Sequence, residues 1–94
     1  MNHPVIWSPT AQDKYLAFLK YWMDNSLNRA IKLDDAIEKL VENLSRFKNF
    51  CPASERKPKF RKCTILGGYS LIYRVKTDTI HIVDFLDNRR RPKF

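Results

Sequence analysis

Apolar positions along the chain change their period once. In the first half they recur every three to four residues, and beyond residue 60 they alternate. Residues 3–7, with Val5, Ile6 and Trp7, form a short apolar run that reads as a first strand. Ser8-Pro9 then opens a helix, because a serine oxygen can accept from free amides of the first turn and proline is preset for the first helical position. Ala11, Tyr15, Phe18 and Trp22 fall on one helical face, which Leu16, Leu19 and Met23 widen. Asp24-Asn25-Ser26 supplies a turn and a second cap. Ala30, Leu33, Ile37, Leu40, Val41, Leu44 and Phe47 then line one side of another helix. So short a connection predicts an antiparallel αα-hairpin whose apolar faces need a sheet to cover.

Residues 48–59, with Pro52 and Pro58, read as the one loop. The stretch from Arg61 onward reads as a three-stranded meander. Gly67-Gly68 tolerates the positive φ of a primed hairpin turn, and Lys76-Thr77-Asp78-Thr79 makes a second, polar turn. Between them Tyr69, Leu71, Tyr73 and Val75 face one side, and Ser70, Ile72, Arg74 and Lys76 the other. In the last run Ile80, Ile82 and Asp84 alternate with His81, Val83 and Phe85. The chain leaves through Asp87-Asn88-Arg89-Arg90-Arg91-Pro92, where proline cannot join a ladder. The expected fold class is α+β with two layers: an N-terminal strand, an αα-hairpin, then a three-stranded antiparallel meander.

Length limits this to a single domain over residues 1–94, and 44% hydrophobic with 30% charged residues is globular composition. No segment approaches the run of about twenty apolar residues that spans a membrane, and the N-terminus lacks a basic start followed by an apolar core, so no membrane partner and a cytoplasmic location are expected. Cys51 and Cys63 do not make a disulfide framework, and neither has a partner at metal-ligand spacing. They read as small, partly buried side chains, with a redox or nucleophilic role as the alternative. His3 and His81 are isolated, so no metal and no cofactor are expected.

Charge changes the picture more than composition does. The net charge is +8, yet residues 1–50 carry seven Lys or Arg against six Asp or Glu, whereas residues 51–94 carry eleven against four. A domain so polarised suits a nucleic acid, a ribosome, an acidic protein or an anionic surface.

The order of elements, with VIWSPTA before the first helix, an alanine opening the second-helix face, FCPASER in the loop, then FRK, GGYSLIYRV and IHIVDFLDNRRRP, resembles the RelE/ParE superfamily, the toxin half of bacterial type II toxin-antitoxin systems. The ending from Asp87-Asn88-Arg89 to Pro92 resembles the ParE-like branch more than the RelE branch. The resemblance implies that the first strand joins the sheet beside the last, that the helices cover one face, and that the other face is open and basic. It implies a partner as well: a small, acidic, partly disordered antitoxin that folds on binding.

The RelE branch cleaves messenger RNA on the ribosome, which needs cations near a phosphate and a group that moves a proton. By that comparison Arg61 stands at a strand lysine, keeping charge but not proton transfer. Cys63 stands at a second lysine, Ser70 at an arginine, and Arg90 at the tail arginine. No tyrosine follows in the tail to act as a base. The favoured expectation is therefore a ParE-like toxin that arrests growth by binding a macromolecular target, with DNA gyrase the target implied. Arg56, Lys57, Arg61, Arg74, Arg89, Arg90 and Arg91 are the candidate surface for target or antitoxin. The alternatives are a ribosome-dependent messenger RNA endonuclease using Lys59, Arg61, Lys62 and Arg90, and a degenerate, non-toxic binding partner. His81 reads as a half-buried strand histidine, and Tyr69 and Tyr73 as core.

Overall fold

The computed structural model describes residues 2–89 and residue 94. It has the element order anticipated: β1 (Val5–Trp7), α1 (Pro9–Asn25), α2 (Leu27–Arg46), β2 (Arg61–Ile65), β3 (Tyr69–Lys76) and β4 (Thr79–Asp87). The sheet runs β1-β4-β3-β2, with β1 parallel to β4 and the other neighbours antiparallel. The α+β, two-layer architecture is thus the one the hydrophobic pattern predicts, and the first strand lies beside the last, as the resemblance implies. Among the described residues no helix is long and apolar enough to cross a membrane.

Ser8 does two jobs at the entry to α1. Its Oγ accepts from Ala11 N–H at 3.1 Å, capping the helix, and donates to Val83 C=O at 3.2 Å, tying the helix start to β4. At the other end of α1 a single residue, Ser26, separates the helices. Its side chain makes no capping bond; its backbone closes the turn, N–H donating to Trp22 C=O and C=O accepting from Arg29 and Ala30 N–H, and the preceding Asn25 Nδ2 donates to Tyr21 C=O at 2.7 Å.

The core lies between the hairpin and one face of the sheet. Ala11 and Tyr15 from α1, and Ala30, Leu33, Ile37, Leu40 and Leu44 from α2, are buried against Leu71, Tyr73, Ile80, Ile82 and Phe85. An aromatic chain welds the layers together: Tyr15 meets Phe85 edge-on at 5.3 Å, Phe85 stacks with Tyr69 at 5.6 Å, and Phe18 lies against Tyr69 at 5.2 Å. Tyr69 and Tyr73 are core residues, as the alternation of β3 predicts. The buried helical stripes are narrower than the sequence suggests. Leu16, Met23 and Phe47 are half or more exposed, so the sheet leaves part of the apolar arc of each helix uncovered.

Three local readings are corrected. The first hairpin turn is centred on Leu66 and Gly67, with φ 53° and 71°, and Gly68 N–H donates to Ile65 C=O at 3.2 Å. Both central residues are left-handed, as a primed turn requires, but the turn sits one residue earlier than Gly67-Gly68. Gly67 occupies its second central position, where no Cβ has to be accommodated.

In β4, strict alternation fails at Val83. The register passes from Ile72↔Asp84 to Tyr73↔Ile82, leaving Val83 as an extra residue. This bulge returns Phe85 to the same face as Ile80 and Ile82, so it is fully buried rather than grouped with His81. It also places Asp84 at a partly covered position, where Lys14 Nζ reaches its Oδ1 at 2.8 Å and Phe85 N–H donates to the same oxygen.

The third correction concerns the outer face of β3. Ser70 and Ile72 have no exposed surface, so this face is closed at that end rather than open along its length. Asn88 explains Ser70: its Oδ1 accepts from Ser70 Oγ, its Nδ2 donates to Tyr69 C=O, and its N–H donates to Gly68 C=O. The Asp-Asn-Arg ending is a clamp on the first hairpin.

Candidate functional site

The loop after α2 is stitched to β2. Ser54 N–H donates to Phe60 C=O, Lys62 N–H to Pro52 C=O, and Ala53 forms an antiparallel bridge with Arg61. This pairing brings Cys51 and Cys63 to a Cα separation of 5.4 Å, and they form a disulfide. The expectation of two unpaired cysteines is overturned. Counting two cysteines cannot reveal that a loop folds back beside the strand carrying the second one. Both are buried.

A hydrogen-bond group surrounds the bridge. Tyr73 Oη donates to Lys48 C=O at 2.9 Å and accepts from Cys51 N–H at 3.2 Å, and burial raises its hydroxyl pKa above the ordinary 10. Arg61 Nη1 donates to Cys51 C=O at 2.6 Å. Arg61, chosen from the sequence as a surface cation, therefore spends part of its guanidinium on holding the loop. On β2 it shares a face with Cys63, opposite to Lys62.

The remaining candidates divide into two places. Lys57, Lys62 and Arg74 gather around Phe60 at the start of β2. The Arg74 guanidinium lies 5.9 Å from the Phe60 ring centre, Phe60 meets Phe94 edge-on at 5.3 Å, and Lys57 Nζ lies 4.8 Å over the Phe94 ring. Arg56 and Lys59 are exposed on the same loop. Lys62 pairs across the ladder with Ile72, and Arg74 with His81, which places both cations and the histidine on the outer sheet face. Aromatic rings are thus interleaved with cations. The tyrosines, which alternation set apart from the cations, are not the rings involved. Neither ring was among the residues chosen from the sequence: Phe60 stands alone at the end of a polar loop, and nothing in the sequence fixes where a tail folds, so the return of Phe94 to it was not legible.

Arg89 stands elsewhere, beyond β4 at the opposite end of β2. Its Nε and Nη2 meet the Asp87 carboxylate at 2.7–3.2 Å, and this contact raises its pKa further above the ordinary value. It borders a recess of about 450 Å³ together with Trp22, Arg29, Lys32, Leu33, Leu66 and Tyr69. Trp22, Arg29, Lys32 and Leu66 were not among the residues chosen from the sequence, because the recess exists only where the ends of α1 and α2 meet the turn at Leu66, more than thirty residues further along the chain. Arg90 and Arg91 lie outside the described residues.

Chemically the outer face is a cation-aromatic surface. Three of the positions aligned with ribonuclease groups are committed to structure: Arg61 to the loop carbonyl, Cys63 to the disulfide, and Ser70 to Asn88. Among the described residues no group of three or more His, Cys, Asp or Glu side chains could hold a metal ion.

Comparisons with known proteins agree with this architecture. No curated protein matches the sequence. Among solved structures, the chain is similar to the chromosomal ParDE toxin-antitoxin system of P. aeruginosa, at a TM-score of 0.75 and 20% identity over 90% of this chain and 95% of that one. It is similar to a YoeB/ParE toxin from Agrobacterium tumefaciens, at 0.66 and 14% over 90% and 98%. A chain of the YoeB-YefM complex from Staphylococcus aureus matches at 0.60 and 20% over 90% and 95%. At these identities the likeness concerns the fold. The family model described as ParE toxin of the type II toxin-antitoxin system, parDE, matches residues 5–92, nearly the whole sequence. The chain belongs to the ParE toxin family of type II toxin-antitoxin systems.

Proposed function

We propose that this ParE-type toxin arrests growth in the cytoplasm by docking on DNA gyrase rather than by cleaving RNA, and that an acidic antitoxin neutralises it. The observation that carries the reading is the structural commitment of Arg61, Cys63 and Ser70. A ribonuclease needs mobile cations and a proton-transfer group around the scissile phosphate, and side chains locked into a disulfide, a loop carbonyl bond and an asparagine clamp do not supply them. Docking needs only a fixed, complementary surface. Lys57, Lys62, Arg74 and the rings of Phe60 and Phe94 provide one, with the exposed Arg56 and Lys59 of the same loop as its further positive charge.

The exposed aliphatics Met23, Leu27 and Ile31 around the tip of the helical hairpin support a protein partner, since such side chains in a cluster are uncommon on a free monomer. The test is a supercoiling assay with relaxed plasmid, gyrase and purified protein. Inhibition is expected, without new 5′ ends on translated messages. Full supercoiling at saturating protein would remove the gyrase assignment, and A-site cleavage would replace it with the endonuclease reading.

A further inference from the structure

The recess bordered by Trp22 and Arg89 lies at the far end of β2 from the cation-aromatic cluster, and nothing in the docking reading uses it. Its floor is apolar: Leu33 is 1% and Tyr69 9% exposed, and the Trp22 indole N–H donates to the Tyr69 hydroxyl, which fixes both rings. Its rim is cationic. Arg29 lies over the Trp22 ring at 4.8 Å, and Lys32 stands one helical turn further along α2. Neither makes an ion pair among the described residues, whereas the charge of Arg89 is largely answered by Asp87. The lip is Leu66, 61% exposed at φ 53°, a conformation that a leucine adopts at a cost.

A volume of about 450 Å³ admits one large side chain and its backbone. An apolar floor excludes a fully polar ligand from the bottom, and two uncompensated cations at the rim favour negative charge beside whatever enters. We propose that this recess is an anchor site for an acidic segment of the antitoxin, seating one large aliphatic side chain on Trp22 and Leu33 and setting its flanking carboxylates against Arg29 and Lys32. The assignment of an antitoxin to this chain rests on the function proposed above. The chemistry of the recess does not.

The test titrates the isotope-labelled protein with the capped peptide Glu-Asp-Glu-Leu-Leu-Glu-Asp-Glu and follows amide and indole resonances. Shifts are expected at Gly68, Tyr69, Arg89 and the Trp22 indole. The Arg29→Glu/Lys32→Glu variant should bind at least about tenfold more weakly, as should a peptide with both leucines replaced by serine. A counterpart peptide carrying lysine at every acidic position should bind the double variant better than the original protein, which separates lost charge from lost folding.

The proposal is overturned if the peptide causes no shifts, if the serine peptide binds equally, or if the shifts centre on Phe60 and Arg74. It is overturned also if oligothymidylate of eight nucleotides moves the recess resonances as strongly, or if they move with protein concentration alone, which would make a second copy the occupant. Growth arrest on expression of the chain is a separate readout. Its failure removes the toxin reading and leaves the peptide result to judge the recess.

Discussion

Two kinds of residue in this chain hold positions that their chemistry resists. Leu66, Thr77 and Asp78 all have positive φ, at 53°, 50° and 47°. Left-handed backbone brings Cβ against the carbonyl and costs a non-glycine residue roughly 1 kcal/mol. Leu66→Gly should therefore raise stability by about 1 kcal/mol in urea denaturation, while removing the exposed lip of the recess. Thr77→Asn with Asp78→Gly should do the same at the second hairpin, since that pair suits its turn. A loss of stability in both variants would contradict the turn geometry. Tyrosine hydroxyls are the second kind. Burial and the bond from Tyr15 to Asp34 at 2.7 Å raise the pKa of Tyr15, and burial raises that of Tyr73. A group whose folded pKa exceeds its unfolded value of 10 contributes stability that is complete below pH 10 and disappears as pH climbs through the folded value. Alkaline unfolding should thus begin above about pH 10 and flatten in Tyr15→Phe/Tyr73→Phe, as seen by tyrosine absorbance against circular dichroism. Tyr73→Phe alone should cost about 1–3 kcal/mol at neutral pH, because Cys51 N–H and Lys48 C=O lose their buried partner.

At the scale of elements, the disulfide is what converts the loop after α2 from a connection into part of the sheet. It closes a separation of 12 residues, and constraint of the unfolded chain over such a span is worth about 3 kcal/mol. Reduction, or Cys51→Ser with Cys63→Ser, should lower the melting temperature by more than about 10 °C in a domain of this size. An unchanged melting curve in excess dithiothreitol would mean that the backbone bonds from Ser54 and Lys62 hold the loop alone. The elements themselves were legible because each carries its own period: 3.6 in the helices, two in β3, and a serine-proline start to α1. What was not legible depends on pairs distant in sequence. The bulge at Val83 appears only when β4 is laid beside β3, and the disulfide only when the loop returns to β2. The recess joins Trp22, Arg29 and Leu66 from three separate elements, so no local window contains it. The outer-face cluster was half visible, its cations by charge counting but its rings not, since Phe94 is placed by tertiary contact.

For the whole molecule, the separation of two cationic surfaces along β2 has a consequence for how toxicity and its neutralisation divide. Lys57 and Arg74 lie against aromatic rings on the outer sheet face, and neither forms an ion pair among the described residues. Reversing their charge removes no buried bond, so Lys57→Glu/Arg74→Glu should change stability by less than about 1 kcal/mol. A docking interaction with a highly charged target would respond far more strongly, because like charges set opposite each other at an interface cost several kcal/mol. The double variant should therefore lose at least about tenfold in potency against supercoiling while melting within a few degrees of the parent. Salt provides the matching control: raising ionic strength shortens the reach of exposed charges to a few ångströms and should weaken the parent much more than the variant. A variant that melts normally and inhibits as well as the parent would exclude the Phe60 face as the docking surface. The target contact would then have to be sought on the helical side, around Met23, Leu27 and Ile31.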